Sequence, residues 1–138
     1  MFKKLIFGLS LWLFATTLSF GANFDDGYSA IEKGDYKTAF TIFEDLASKG
    51  NKGAQYNLGL MYSNGQGVKQ DYKKAILWYE KAATQGDVAA QSNLGNMYAN
   101  GEGVRQDKKR GKEWFGKACD NGFQMACDNY KILNQQGY

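Results

Sequence analysis

The sequence predicts an all-α fold, an α/α solenoid of about three and a half helix-hairpin repeats, and three observations predict it. First, residues 54–89 and 90–125 align without a gap at an offset of 36, with 18 of 36 positions identical, which marks one structural unit used twice. Second, each half of that unit places apolar residues at helical spacing. Third, glycine-rich breaks recur at the same points of each unit, and the chain of 138 residues contains no proline to interrupt the segments between them.

The first element is a targeting segment. Met1-Phe2-Lys3-Lys4 leads into an apolar run from Leu5 to Leu18, with the small residues Ser19 and Gly21 behind it. A basic start, a short apolar core and small residues make a secretory signal peptide over 1–21. The alternative is a retained anchor, but about 14 apolar residues fall short of the roughly 20 that span a bilayer. No stable membrane insertion is expected after cleavage. Export makes the expected location periplasmic or secreted from a bacterium.

Residues 22–53 read as a divergent first repeat. Phe24 to Glu32 is its first helix and Lys33-Gly34 a short connection. Asp35-Tyr36-Lys37-Thr38-Ala39 then matches Asp71-Tyr72-Lys73-Lys74-Ala75 one period later. In the next repeat, 54–89, the first helix sets Ala54, Leu58, Gly59 and Tyr62 on one face. The small Ala54 and Gly59 let a neighbouring helix come close. Asn64-Gly65-Gln66-Gly67 breaks the helix, Val68 tucks under the turn, and Asp71 stands where an N-cap is wanted. The second helix is expected to bury Ala75, Trp78, Tyr79 and Ala82, and Gly86 to stop it. The repeat at 90–125 offers Gly111, Trp114, Phe115, Ala118 and Gly122 at the same places. Residues 126–138 form a C-terminal half repeat. Hairpins of this kind bury their apolar faces only by stacking on one another.

The formal charge of +3 falls to about +1 once Lys3 and Lys4 are removed, leaving 15 bases against 14 acids. That balance gives no reason to expect nucleic acid, which usually requires a basic stripe. The chain has no His, which excludes histidine triads and most zinc hydrolase sites, so neither metal nor cofactor is implied. Gly65-x-Gly67 and Gly101-x-Gly103 lie between helices and are turns, not phosphate loops. The carboxylate pairs Asp25-Asp26 and Glu44-Asp45 read as a helix start and a solvated face. No enzyme is expected. Arg105, Lys108, Lys109, Arg110 and Lys112 make one helix start basic; this is a solvated face or, on the sharper reading, a contact for an anionic polymer or membrane surface.

The pattern Ala54, Leu58, Gly59, Tyr62, Gly65, Gly67, Val68, Asp71, Ala75, Trp78, Ala82, Ala83 and Gly86 resembles the Sel1-like repeat. The resemblance covers 54–126 well and 24–53 loosely. It implies a relative of the tetratricopeptide arrays, stacked in a right-handed superhelix and acting as an adaptor. Cys119 and Cys127 read as a disulfide in an oxidising compartment, the alternative being two buried thiols. Their Cys-x7-Cys spacing also resembles the Helicobacter cysteine-rich proteins, whose bridges join a second helix to the next repeat's first helix. The counterparts of the pair in earlier repeats are Ala83 with Gln91 and Ala47 with Gln55.

The resemblance implies that Tyr56, Leu60 and Ser63, then Ser92, Asn96 and Ala99, line the concave side. Tyr56 and Leu60 suit a peptide groove unless they pack locally. The expected function is an exported scaffold that binds a protein or peptide of the cell envelope or of a host cell. The alternatives are β-lactam or peptidoglycan-fragment binding or hydrolysis, suggested by the Helicobacter relatives, and an inhibitor or immunity protein.

Overall fold

In a computed structural model, residues 21–138 are described; the signal segment expected at 1–21 lies essentially outside them. The described residues form seven helices and no strand: α1 Phe24–Glu32, α2 Tyr36–Ser48, α3 Lys52–Asn64, α4 Tyr72–Thr84, α5 Val88–Asn100, α6 Lys108–Asp120 and α7 Gln124–Gln135. Each helix packs chiefly on its neighbours in sequence, with an additional contact between α3 and α5. That is the quasi-one-dimensional arrangement of a repeat solenoid. No helix among the described residues is long and apolar enough to cross a membrane.

Polar caps fix most helix starts. Asn23 and Asp26 form a reciprocal capping box at α1. Asp35, Asn51, Asp71, Asp87 and Asp107 each accept a hydrogen bond from a backbone N–H three residues on. Because Asn51 and Asp87 do this, α3 and α5 begin two residues before the frame set by Ala54 and Ala90. At α7 the equivalent residue is Phe123, which supplies no side-chain cap.

Close approach within each hairpin depends on glycine. A Cβ on Gly59 would lie 2.4 Å from the Tyr79 ring, and one on Gly95 would lie 2.6 Å from Phe115. The aromatic residue of the second helix therefore sits directly on the backbone of the first. The turn after α3 folds back the same way: Gly67 has φ +70°, and a Cβ there would meet the Tyr36 carbonyl at 2.2 Å. The hairpin turn of one pair thus rests on the start of the preceding second helix.

The core runs as three clusters along the array, centred on Phe43 and Leu58, on Tyr79 and Leu94, and on Phe115 and Leu133. The tryptophans of the two full repeats depart from expectation. Trp78 and Trp114 are only half-buried. Lys81 and Lys117 lie over their rings at 4.4 and 4.3 Å, covering the outer face with a cation instead of a neighbouring helix.

The junctions between hairpins are polar and specific. Buried Gln55 donates to the Ala47 carbonyl at 3.3 Å and accepts from Gln85 at 2.7 Å. One period later, Gln91 donates to the Ala83 carbonyl at 3.1 Å and accepts from Asn121 at 3.1 Å. At the last junction, the sulfurs of Cys119 and Cys127 lie 2.00 Å apart, with a Cα–Cα distance of 4.6 Å.

Candidate functional site

A cleft of ≈ 390 Å³ opens between α3 and α5 on the first-helix side. Leu60 and Ser63 come from α3, and Asn93, Asn96 and Asn100 from α5. The glycine turns after α3 and α5 bring Asn64, Tyr72 and Glu102 to its rim. The Tyr79 ring forms part of the floor; Ser63 shares a 3.4 Å hydrogen bond with its hydroxyl, and Tyr56 packs on it at 5.9 Å. Burial pushes the Tyr79 phenol up to about 12, and burial and then Asp87 raise that of Tyr56. Both phenols are neutral over the physiological range and serve as hydrogen-bonding surfaces. Asn93 acts on both in the opposite sense to burial, lowering each phenol.

A second, smaller concavity of ≈ 150 Å³ continues the first toward α7, sharing Asn96 and Asn100 and adding Asn129 and Ile132. The groove thus crosses three first helices: α3, α5 and α7. Its lining is amides and a few apolar side chains. Such a surface can hold an extended polypeptide through backbone hydrogen bonds and one or two apolar anchors.

Of the residues expected on this face, Leu60, Ser63 and Asn96 are brought together in the cleft. Tyr56 lies half-buried beneath it. Ser92 does not belong to the accessible face, being only 5% exposed. A serine is too short to reach past its neighbours, whereas Tyr56 at the same repeat position keeps part of its ring in solvent. On α5 the cleft is lined by Asn93, Asn96 and Asn100, and Ala99 lines its continuation toward α7. The overlooked signal was repetition of polar residues: Asn57 recurs as Asn93 and Asn129, and Asn64 recurs as Asn100. Asn57 itself is buried, donating to the Gly53 carbonyl at 2.9 Å and to the Tyr28 hydroxyl at 3.3 Å.

Fold and groove together define an α-solenoid repeat protein with a helix-lined concave face. The Sel1 repeat model matches residues 53–87 and 88–128, more than half of the chain, and the chain belongs to the Sel1 repeat family. No curated protein sequence matches it. Among solved structures it is similar to a protective antigen of uropathogenic Escherichia coli that displays an SLR fold. That likeness has 32% identity and TM-score 0.77, covering 80% of this chain and 25% of that one. A Sel1 repeat protein from Oxalobacter formigenes is 30% identical with TM-score 0.78, over 83% of this chain and 47% of that one. Cysteine rich protein B of Helicobacter pylori is 27% identical with TM-score 0.68, over 77% of this chain and 81% of that one. The chain therefore spans about a quarter and about half of the first two proteins and most of the third.

Proposed function

We propose that the protein is an exported, non-enzymatic scaffold that binds an extended protein or peptide segment in the groove across α3, α5 and α7. The groove itself carries this reading: half-buried Leu60 offers an apolar anchor, and Asn93, Asn96 and Asn100 offer paired donors and acceptors around it. The family's scaffold fold supports the class of function. The basic and apolar leader and the Cys119–Cys127 pair support export to the periplasm or beyond. Neither the β-lactam or peptidoglycan-fragment reading nor the inhibitor reading draws support from the groove's side chains.

The test is comparative co-purification from the envelope of the producing cell, quantified by mass spectrometry. A polypeptide retained by the wild-type protein and by Glu44→Ala, but lost from Leu60→Glu and from Asn96→Ala, is the expected result. An unchanged set of co-purifying proteins across all four would rule out the groove as the binding surface.

A further inference from the structure

The near-neutral net charge conceals a separation across the solenoid. Dividing each helix at its middle residue gives two edges, one carrying the turns within hairpins and the other the turns between them. From residue 21 onward the within-hairpin edge holds eleven cations and six acids, and the opposite edge four cations and eight acids. Three of the six acids, Asp35, Asp71 and Asp107, already accept hydrogen bonds from helix N–H groups. The cations recur with the repeat: Lys33, Lys69 and Arg105 stand 36 apart, as do Lys37, Lys73 and Lys109. All six are exposed, and none pairs with a carboxylate among the described residues. A merely solvated helix face normally intersperses acids that pair with its bases.

Two equivalent hollows lie on this edge. One, of ≈ 450 Å³, is lined by Lys69, Tyr72 and Lys73; the other, of ≈ 580 Å³, by Arg105, Lys109 and Tyr138. Each combines free cations with a tyrosine that is 39% or 43% exposed; at Tyr138, Lys108 lies over the ring at 4.8 Å and leaves the other face for a ligand. We propose that this edge binds a linear acidic glycan whose carboxylate or sulfate groups meet the free cations while its sugar faces rest on Tyr72 and Tyr138. Two hollows one repeat apart suit a chain with repeating charge, because each contact raises the local concentration for the next. A bilayer suits the edge less well. The only aliphatic side chains of the turns after α3 and α5, Val68 and Val104, are half-buried and unavailable for insertion. The site shares Tyr72 with the rim of the groove between α3 and α5, but none of Lys69, Lys73, Arg105 and Lys109 lines that groove, so substituting them tests this site alone.

Heparin is the probe, with binding measured by calorimetry on the protein purified from the cells that make it. Lys69→Gln/Lys73→Gln and Arg105→Gln/Lys109→Gln should each weaken binding about tenfold at low salt, as expected for losing two exposed charge contacts. The quadruple variant should abolish it, and the opposite-edge control Lys49→Gln/Lys52→Gln should change nothing. Wild-type binding should fade as salt rises. Because the four substituted side chains make no ion pairs, unchanged circular dichroism and Tm will separate lost binding from lost folding. Heparin affinity that survives in the quadruple variant would overturn the proposal. So would equal affinity for a single-stranded oligonucleotide, or binding to phosphatidylglycerol vesicles with none to heparin.

Discussion

The first two junctions and the last solve one structural problem by different chemistry. Between α2 and α3, and between α4 and α5, a buried glutamine spans the bend. Gln55 reaches the Ala47 carbonyl, Gln91 reaches the Ala83 carbonyl, and a residue just past the following second helix, Gln85 or Asn121, secures each glutamine from the far side. Between α6 and α7 that glutamine is Cys127 and its alanine partner is Cys119. The difference follows the neighbourhood. α3 and α5 are packed on both sides and begin with capped N-termini. Among the described residues α7 packs chiefly on α6, and it starts at Phe123 without a side-chain cap. A hydrogen bond suffices where packing and capping are complete, and a covalent bond stands where both are reduced.

The largest effect should come from breaking the covalent junction. Cys119→Ala/Cys127→Ala should lower stability by about 2–3 kcal/mol, the value expected for closing so short a loop. Hydrogen exchange should show the loss concentrated in α7, with α3 and α5 protected as before; a uniform loss would contradict the comparison. Next is Gln91→Ala, expected to cost about 1–2 kcal/mol because it orphans the buried side of the Asn121 contact and the Ala83 carbonyl. Denaturant unfolding measures this directly. Gln85→Ala removes only the exposed member of the equivalent network at the preceding junction, its bond to Gln55, so about 0.5–1 kcal/mol is expected by the same assay. The smallest effect concerns pH. The hydrogen bonds of Asp35 with Thr38, first among its influences, lower the Asp35 pKa. The cap therefore stabilises the fold above the ordinary carboxylate range and is lost as pH falls through the depressed folded value. Acid titration followed by exchange should loosen the start of α2, while the Phe123 start of α7, which has no titratable cap, keeps its own rate.

Much of this was legible in the sequence because it is local or strictly repeated. The 36-residue period announces the hairpins, Asp71 the cap of α4, and Gly59 a close approach that the Tyr79 ring then fills. What escaped depends on neighbouring repeats. Gln55 and Gln91 look like surface residues in a helical pattern, and only the stacked helices reveal them as buried clamps. Trp78 and Trp114 look like core residues, yet their outer faces meet Lys81 and Lys117. Leu60, Ser63 and Asn96, expected on the concave side, line the cleft between α3 and α5. On α5, Asn93 and Asn100 join Asn96 along the cleft, and Ala99 lines its extension toward α7. Ser92 alone of the residues expected on that side is buried, which a wheel drawn for one helix does not show.

The two kinds of junction also bear on binding, since α7 supplies Asn129 and Ile132 to the end of the groove and the cysteine bridge holds α7 in place. Site-specific photo-crosslinking in the producing cell, with the probe at Leu60, at Asn96 and at the outward-facing Glu44, tests the groove most directly. The account predicts the same discrete protein adduct from Leu60 and Asn96 and none from Glu44. Diffuse adducts or none at Leu60 and Asn96, or an equal adduct at Glu44, would contradict it.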